Sequence, residues 1–259
     1  MMCRHTCYIG SSVSLEEFLF QPGHGLLVQS YKPKEMIEAE VNVDGFGLGW
    51  YLEDGTLRRY VNAKPIWADR NLYQLAPLLR SGLWVGNVRS ATVPETITEM
   101  DTPPYCVGNL VFSHNGLIRD FTSSVRSSIR KFLSPEVETD VQGNTDSEYL
   151  FAVLRQLLPE HAYNIGEAIP TLFDRLRFWG GDECGLFNVI VSNGRSAFAT
   201  RHSLGGQCPS LYVGKAGGSL RHGWSVTSEP ISQDGEWSVV PEHHMVSMEP
   251  GLEPKVVAL

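Results

Sequence analysis

The sequence predicts an α+β fold built on two mostly antiparallel sheets, each covered by helices. Three observations carry this. Strand signals are many and short, and several are joined as hairpins, as at Asp54-Gly55 and Asn193-Gly194. Helical signals fall in pairs between the strand runs rather than alternating with single strands, which argues against a βαβ series. The 259 residues, 42% hydrophobic and 19% charged, supply enough apolar mass for a sizeable core.

Taken in order, residues 3–9 form the first strand, apolar from Cys7 to Ile9. Ser14, with Glu17 three residues on, predicts a capping box opening a helix over 14–20. GFGLGWYL (45–52) alternates Gly with large apolar residues, the pattern of a strand that another backbone or a ligand approaches closely. LRRYVN follows it after the hairpin turn. Leu72, Leu75, Leu78 and Leu79 predict a helix over 67–80, and LWVGNVR (83–89) and NLVFSHNG (109–116) read as strands. Thr145 and Glu148 predict a second capping box, before a stripe of Leu150, Val153, Leu154, Leu157 and Leu158. A further helix over 164–178 turns Ile165, Ile169, Leu172, Phe173 and Leu176 inward. GLFNVIVSNGRSAFATRH (185–202) reads as a hairpin with a type I′ turn. SLYVGK (210–215), GWSVTSEP (223–230) and EWSVVPEHHMVSM (236–248) complete the strands.

The net charge of -8 and the lack of a basic patch argue against nucleic acid as a partner. No apolar run approaches the roughly 18 residues of a membrane span, and the first residues lack a signal-peptide pattern, so a cytoplasmic protein is expected. The five cysteines are odd in number and include no C-x-x-C, which argues against a disulfide framework or structural zinc. His243-His244 and Arg201-His202 have no metal-ligand partner at a useful spacing. Gly45-x-Gly47-x-Gly49 is not a dinucleotide fingerprint, since position 50 is Trp.

Four stretches combine reactive residues with strand ends and helix starts: Cys3-Arg4-His5, Gly86 to Thr92, Ser113 to Gly116 and Thr145 to Glu148. A cysteine beside a free α-amino group, with its pKa near 8, has a built-in base. Asn115 and Gly116, read as ending a strand at a turn, offer a side-chain amide and an N–H for an oxyanion hole. Arg89 offers a planar fork for a carboxylate, and Asp146, in a first helical turn, a partner for an ammonium group. Each has a plainer reading: Cys3 as core filling, Asn115-Gly116 as a hairpin turn, Arg89 as a surface ion pair, Asp146 as a helix-terminal charge. His114 could act as a base or be a satisfied strand histidine.

In combination and order, the cysteine near the start, NVDGFGLGWY, R-x-A-T, H-N-G and T-D-S-E resemble the class II glutamine amidotransferase domain. The resemblance implies the N-terminal nucleophile hydrolase fold, a four-layer αββα sandwich, as a single domain over 3–259. MCRH, VQSYKP and GNVRSAT look most like the stand-alone EgtC-type subgroup. That subgroup hydrolyses the γ-glutamyl bond of γ-glutamyl-hercynylcysteine sulfoxide in ergothioneine biosynthesis. The resemblance implies Cys3 as nucleophile with its own α-amine as base, and Asn115 and Gly116 as oxyanion hole. It implies Arg89 and Asp146 as holders of the glutamyl carboxylate and ammonium, with Thr92 adding a hydrogen bond. It implies no metal or organic cofactor. The chain departs from the pattern at Asp101 to Tyr105, at Val93 and in its leading Met1-Met2, which are expected to be removed or not translated.

The expected partner is a small γ-glutamyl substrate. A glutaminase subunit that supplies ammonia to a separate synthase, and a non-catalytic γ-glutamyl or amino-acid binding protein, stand as alternatives, and a homo-oligomer is open. The leaving-group pocket is expected among loops around Trp50, Tyr51 and the C-terminal strands. Trp50, Trp67, Trp84 and Trp224 could meet a trimethylammonium group there by cation–π attraction, or fill the core.

Overall fold

The computed structural model describes residues 3–36, 41–91 and 94–259. Its strands are β1 (Arg4–Ser14), β2 (Phe46–Tyr51), β3 (Leu57–Asn62), β4 (Arg80–Val88), β5 (Tyr105–Val107), β6 (Leu110–Ile118) and β7 (Gly185–Ser192). They continue as β8 (Ala197–Arg201), β9 (Ser203–Leu204), β10 (Tyr212–Lys215), β11 (Gly223–Thr227), β12 (Glu236–Val239), β13 (His244–Met248) and β14 (Lys255–Ala258). Two seven-stranded sheets result. The first runs β12-β10-β11-β1-β4-β2-β3; the second runs β14-β13-β8-β7-β6-β5, with β9 beside β7. Every described pairing is antiparallel.

Alternation along the strands builds three apolar layers. Tyr8, Leu48 and Trp84 of the first sheet pack under Phe18 and Leu19 of α1 (Leu15–Leu19), Leu26 of α2 (Leu26–Tyr31) and Leu72 of α3 (Arg70–Leu75). Cys7, Ile9 and Val85 face Val111, Ile190 and Ala199 between the sheets. Phe112 and Phe187 of the second sheet pack under Ile129 of α4 (Arg126–Phe132), Leu150 and Leu154 of α6 (Asp146–Leu157) and Ile169 of α7 (Ile165–Gly180), with α5 (Pro135–Thr139) outside. The layer order is helix, sheet, sheet, helix, as the sequence predicts. No helix among the described residues is long and apolar enough to cross a membrane.

Several elements differ from expectation. The helix expected over 67–80 shrinks to α3, because Pro77 cannot continue it; Leu75 and Leu78 are exposed. The Ser14–Glu17 capping box is complete, with Ser14 Oγ accepting from Glu17 N and Glu17 from Ser14 N. At α6 only half the box forms: Thr145 Oγ1 accepts from Glu148 N, while the Glu148 carboxylate accepts from Gln142 N and Gly143 N. Residues 193–196 form a four-residue turn rather than a type I′ pair, and Asn193 Oδ1 accepts from Arg195 N and Ser196 N. EWSVVPEHHMVSM divides at Pro241 into β12 and β13, which belong to different sheets. The short elements β5, β14, α2 and α4 carry no clear sequence signal, whereas α5 starts on one that sequence reasoning missed, Ser134 as N-cap with Pro135 at N1.

Candidate active site

The inter-sheet face of three strands defines the site. On β1, Cys7 and Ile9 lie in the inter-sheet layer and His5 Nδ1 stands 3.2 Å from Ser113 Oγ. One alternation step earlier, Cys3 lies on the same face. On β4, Val85 is inter-sheet and Asn87 Nδ2 donates to Ser113 Oγ at 3.0 Å, so the next position of that face is Arg89. Arg4 pairs with Val88, which brings Cys3 beside Arg89. On β6, Val111 and Ser113 face the gap, and Asn115 follows them. Asn115 is fully buried, and neither atom of its amide has a hydrogen-bond partner among the described residues. Buried amides are nearly always paired, so a free one marks a group held for something else.

Asn115 and Gly116 lie inside β6, opposite Asn188 and Phe187, and not at the turn the sequence suggested. The neighbouring Phe187 N donates to His202 O, away from β6. By ladder parity the Gly116 N–H therefore points away from β7, along the edge where Ile118 N donates to Asp146 Oδ2 at 2.7 Å. β5 covers β6 only between Leu110 and Phe112, so that edge is open at Gly116. A side chain at position 116 would collide with Leu186 O and the His114 ring, which explains the glycine.

Arg89 is held from both sides. Its backbone N–H donates to Gly45 O and its carbonyl accepts from Asp44 N, while Asp44 Oδ2 accepts from Ala91 N. Its guanidinium donates to Thr96 O and Thr96 Oγ1 at 2.5 and 2.7 Å. Five donors in a fork leave others free for a carboxylate. Arg89 and Asp146 line one cleft of about 720 Å³, together with Leu117, Ile118, Phe121 and Arg126. Thr92 and Val93 lie outside the described residues.

Burial pushes the Cys3 thiol above its usual pKa, and nearby Asp146 adds to this; the Ser90 backbone and the charges of Arg89 and Arg4 pull it back. Part of Cys3 reaches solvent, but its sulfur, 3.9 Å from Ser90 O, is deep enough for desolvation to dominate. A protonated thiol needs a base. Neither nearby histidine suits that task. Burial, with His114 and Arg4 nearby, pushes His5 down to about 3. His114 faces the helices: burial lowers its pKa, Nε2 meets Leu186 O at 2.8 Å and Nδ1 meets Ser147 Oγ at 2.9 Å. A carbonyl only accepts, so Nε2 carries the proton and the neutral Nδ1 accepts from Ser147. His114 therefore ties β6 to α6. Arg4 points the other way from Cys3, into a buried ion pair with Glu229 at 3.3 Å. Glu229 also accepts from His24 Nε2 and from the backbone of Lys34 and Glu35.

Cys3, Arg89, Asn115, Gly116 and Asp146 thus gather around one end of the inter-sheet gap. Sequence reasoning missed the residues that brace them: Asp44, Ser113, Asp101 and Tyr105. The departure at Asp101 to Tyr105 supports the Asp146 loop directly. Asp101 Oδ1 accepts from Asn144 N at 2.7 Å, and Tyr105 OH meets Thr145 Oγ1 at 2.6 Å. The cleft beside Arg89 and Asp146 is lined from 95–96, 117–126 and 144–146, away from the loops around Trp50 and Tyr51 where a leaving-group pocket is expected, and includes none of the four tryptophans. Trp84 and Trp50 stack on each other in the core, Trp67 meets Tyr31, and Trp224 lies under Lys215. Chain folding also supplies what spacing hid from the histidine pairs: single ligand atoms of Cys208, Glu242 and His243 lie within 4.8 Å of one another. Arg201 already reaches Glu242 there at 3.4 Å.

The model of the family described as glutamine amidotransferases class-II matches residues 28–207, a span that includes Arg89, Asn115, Gly116 and Asp146. A γ-glutamyl-hercynylcysteine sulfoxide hydrolase of Mycolicibacterium smegmatis is 29% identical over 95% of this chain and 96% of its own length. A probable glutamine amidotransferase of Saccharomyces cerevisiae, DUG3, is 25% identical over 95% of this chain and 82% of its own. The solved glutamine aminotransferase class-II domain protein of Silicibacter pomeroyi superposes with a TM-score of 0.74 at 25% identity, covering 99% of this chain and all of its own.

Proposed function

The chain belongs to the class II glutamine amidotransferases, and from that membership we propose that it is a cysteine amidohydrolase cleaving a γ-glutamyl amide, with γ-glutamyl-hercynylcysteine sulfoxide as its substrate. The observation that carries the reading is the buried, unpartnered amide of Asn115 beside an open Gly116 N–H, on the strand that faces the Cys3 strand. Those two donors suit an oxyanion better than they suit a folded chain.

In the proposed reaction Arg89 binds the α-carboxylate and Asp146 the α-ammonium of the glutamyl group. The Cys3 α-amine takes the thiol proton, and the sulfur bonds to the γ-carbon. Asn115 Nδ2 and Gly116 N–H hold the resulting oxyanion. The C–N bond breaks as the amine takes the proton from the α-ammonium of Cys3, leaving a γ-glutamyl thioester. Water, deprotonated by the same amine, attacks that thioester; glutamate departs and the thiol is restored. Residues 3–259 serve as one domain on this reading, and Thr92 contributes at most a further hydrogen bond.

Hydrolysis is favoured over ammonia donation by one feature. The cleft of about 720 Å³ beside Arg89 and Asp146 is far larger than ammonia needs. The test is glutamate release from the sulfoxide and from glutamine, by wild type and Cys3→Ala. The expected result is a kcat/KM at least tenfold higher for the sulfoxide, and no turnover by Cys3→Ala. A preference for glutamine would move the chain to the ammonia-donor reading, and full activity in Cys3→Ala would end the thioester mechanism.

A further inference from the structure

We infer that the cleft beyond Asp146 takes a leaving amine that carries its own carboxylate, and that Arg126 reads that carboxylate. The inference rests on the hydrolase reading and names the substrate class: γ-glutamyl amino acids and their derivatives, rather than glutamine or γ-glutamyl alkylamides.

Arg126 lines the cleft with Arg89 and Asp146. It opens α4 directly after a π-helical turn, Phe121–Val125, which is entered through Asp120 in left-handed backbone at φ 52. Single π turns are frequent at functional sites. The guanidinium is fixed by neutral groups alone. Nη2 donates to Asn144 Oδ1 at 3.1 Å and to Tyr149 OH at 3.2 Å. The guanidinium carbon stands 5.0 Å from the Tyr149 ring centre and 6.0 Å from that of Phe121. Nε is buried with no hydrogen-bond partner among the described residues. Among the described residues no carboxylate pairs with Arg126, whereas Arg4, Arg119, Arg130, Arg155 and Arg201 each have one.

Two aromatic rings and two neutral acceptors hold the fork in place without cancelling its charge. Both N–H groups of Nη2 are used and Nε is sealed in, which leaves Nη1 as the charged donor for an incoming carboxylate. The location fits the reaction. Asn144, which positions Arg126, lies two residues before Asp146 on one loop, so the glutamyl ammonium and the leaving-group carboxylate are read from the same segment. An amino acid leaving through its α-nitrogen carries its carboxylate one carbon from the bond that breaks. Ammonia or an alkylamine would leave Arg126 unpaired. The exposed Asp120 and Glu95 line the same cleft, so Arg126 and Arg89 are the groups in it that can receive an anion.

The test uses a matched pair, γ-glutamyl-alanine and γ-glutamyl-ethylamide, which differ by that carboxylate alone. In wild type kcat/KM is expected to favour γ-glutamyl-alanine at least tenfold. In Arg126→Gln the ratio collapses toward one through KM, and Arg126→Lys restores part of it. Dissociation constants of both compounds for Cys3→Ala protein give the same comparison without turnover, so the subsite is judged even if wild type hydrolyses neither compound; failure of wild type to hydrolyse the sulfoxide would remove the hydrolase reading alone. Equal affinity of Cys3→Ala protein for the pair, or an unchanged ratio in a folded Arg126→Gln variant, overturns the inference.

Discussion

His5 of β1 and Ser113 of β6 meet across the two sheets at 3.2 Å, two residues after Cys3 on one strand and two before Asn115 on the other. The Ser113 hydroxyl accepts from Asn87 Nδ2 and shares a second hydrogen bond with His5 Nδ1. This bridge sets the height of the nucleophile strand against that of the oxyanion strand.

Ser113→Ala therefore leaves two buried polar groups unpaired. The expected loss of stability is about 2 kcal/mol, within the range for an unsatisfied buried group, read from urea unfolding. kcat falls with it, because Cys3 and Asn115 lose their common register. A Ser113→Ala protein that unfolds at the wild-type urea midpoint would show the bridge to be idle.

Asn115→Ala behaves in the opposite way. An ordinary buried amide is missed when removed, but this one has no partner among the described residues to lose. Stability is expected to stay within about 1 kcal/mol of wild type, since relief of an unpaired amide offsets a small cavity. kcat is expected to drop about 10²- to 10³-fold, the usual effect of deleting one oxyanion donor. Paired urea and kinetic measurements separate the two effects. A large stability loss with a small rate loss would mark Asn115 as structural.

The buried histidines set the acid limit. Burial pushes His5 down to about 3, helped by His114 and Arg4, and pushes His202 down to about 4, helped by His243 and Arg177. Both are neutral when folded and take a proton near 6.5 when unfolded, so the unfolded state binds more protons across that interval. Their contribution to stability is complete above about pH 6.5 and is lost progressively as pH falls toward 3 to 4. The urea midpoint should fall from pH 6.5 downward, before the carboxylates titrate, and His202→Asn should flatten that slope. An unchanged slope in the variant would assign the acid limit elsewhere.

The layers were legible in the sequence because alternation and helical stripes depend on local spacing. Ile165, Ile169, Leu172, Phe173 and Leu176 are all buried as expected. The reactive residues were legible through their types and order. What braces them was not. Ser113 reaches Asn87 and His5, Asp101 reaches Asn144, and Asp44 reaches Ala91, each across tens of residues with no periodicity to show it. The metal-like cluster of Cys208, Glu242 and His243 was hidden for the same reason, and the cleft beside Arg89 and Asp146 because it lies between segments far apart in sequence. Asn115-Gly116 misled for a local reason: the pair is a strong turn signal, and here sheet pairing with β7 overrides it.

If the α-amine of Cys3 is the base, activity depends on where the mature chain begins. Cys3 lies behind Met1-Met2 in the sequence, and a bulky Met2 is a poor site for removal of Met1. Neither His5, pushed down to about 3, nor His114, turned to the helices with both ring nitrogens engaged, can take over. Protein prepared with Cys3 as its first residue, by specific proteolysis of a leader, is expected to be fully active. Its kcat/KM should rise through an apparent pKa near 8, the value of an α-amino group. Protein whose intact mass retains a methionine before Cys3 is expected to lose at least 10²-fold in kcat, since a peptide nitrogen cannot accept the thiol proton. Equal rates for the two forms, each verified by mass, would require another base and remove the amine from the mechanism.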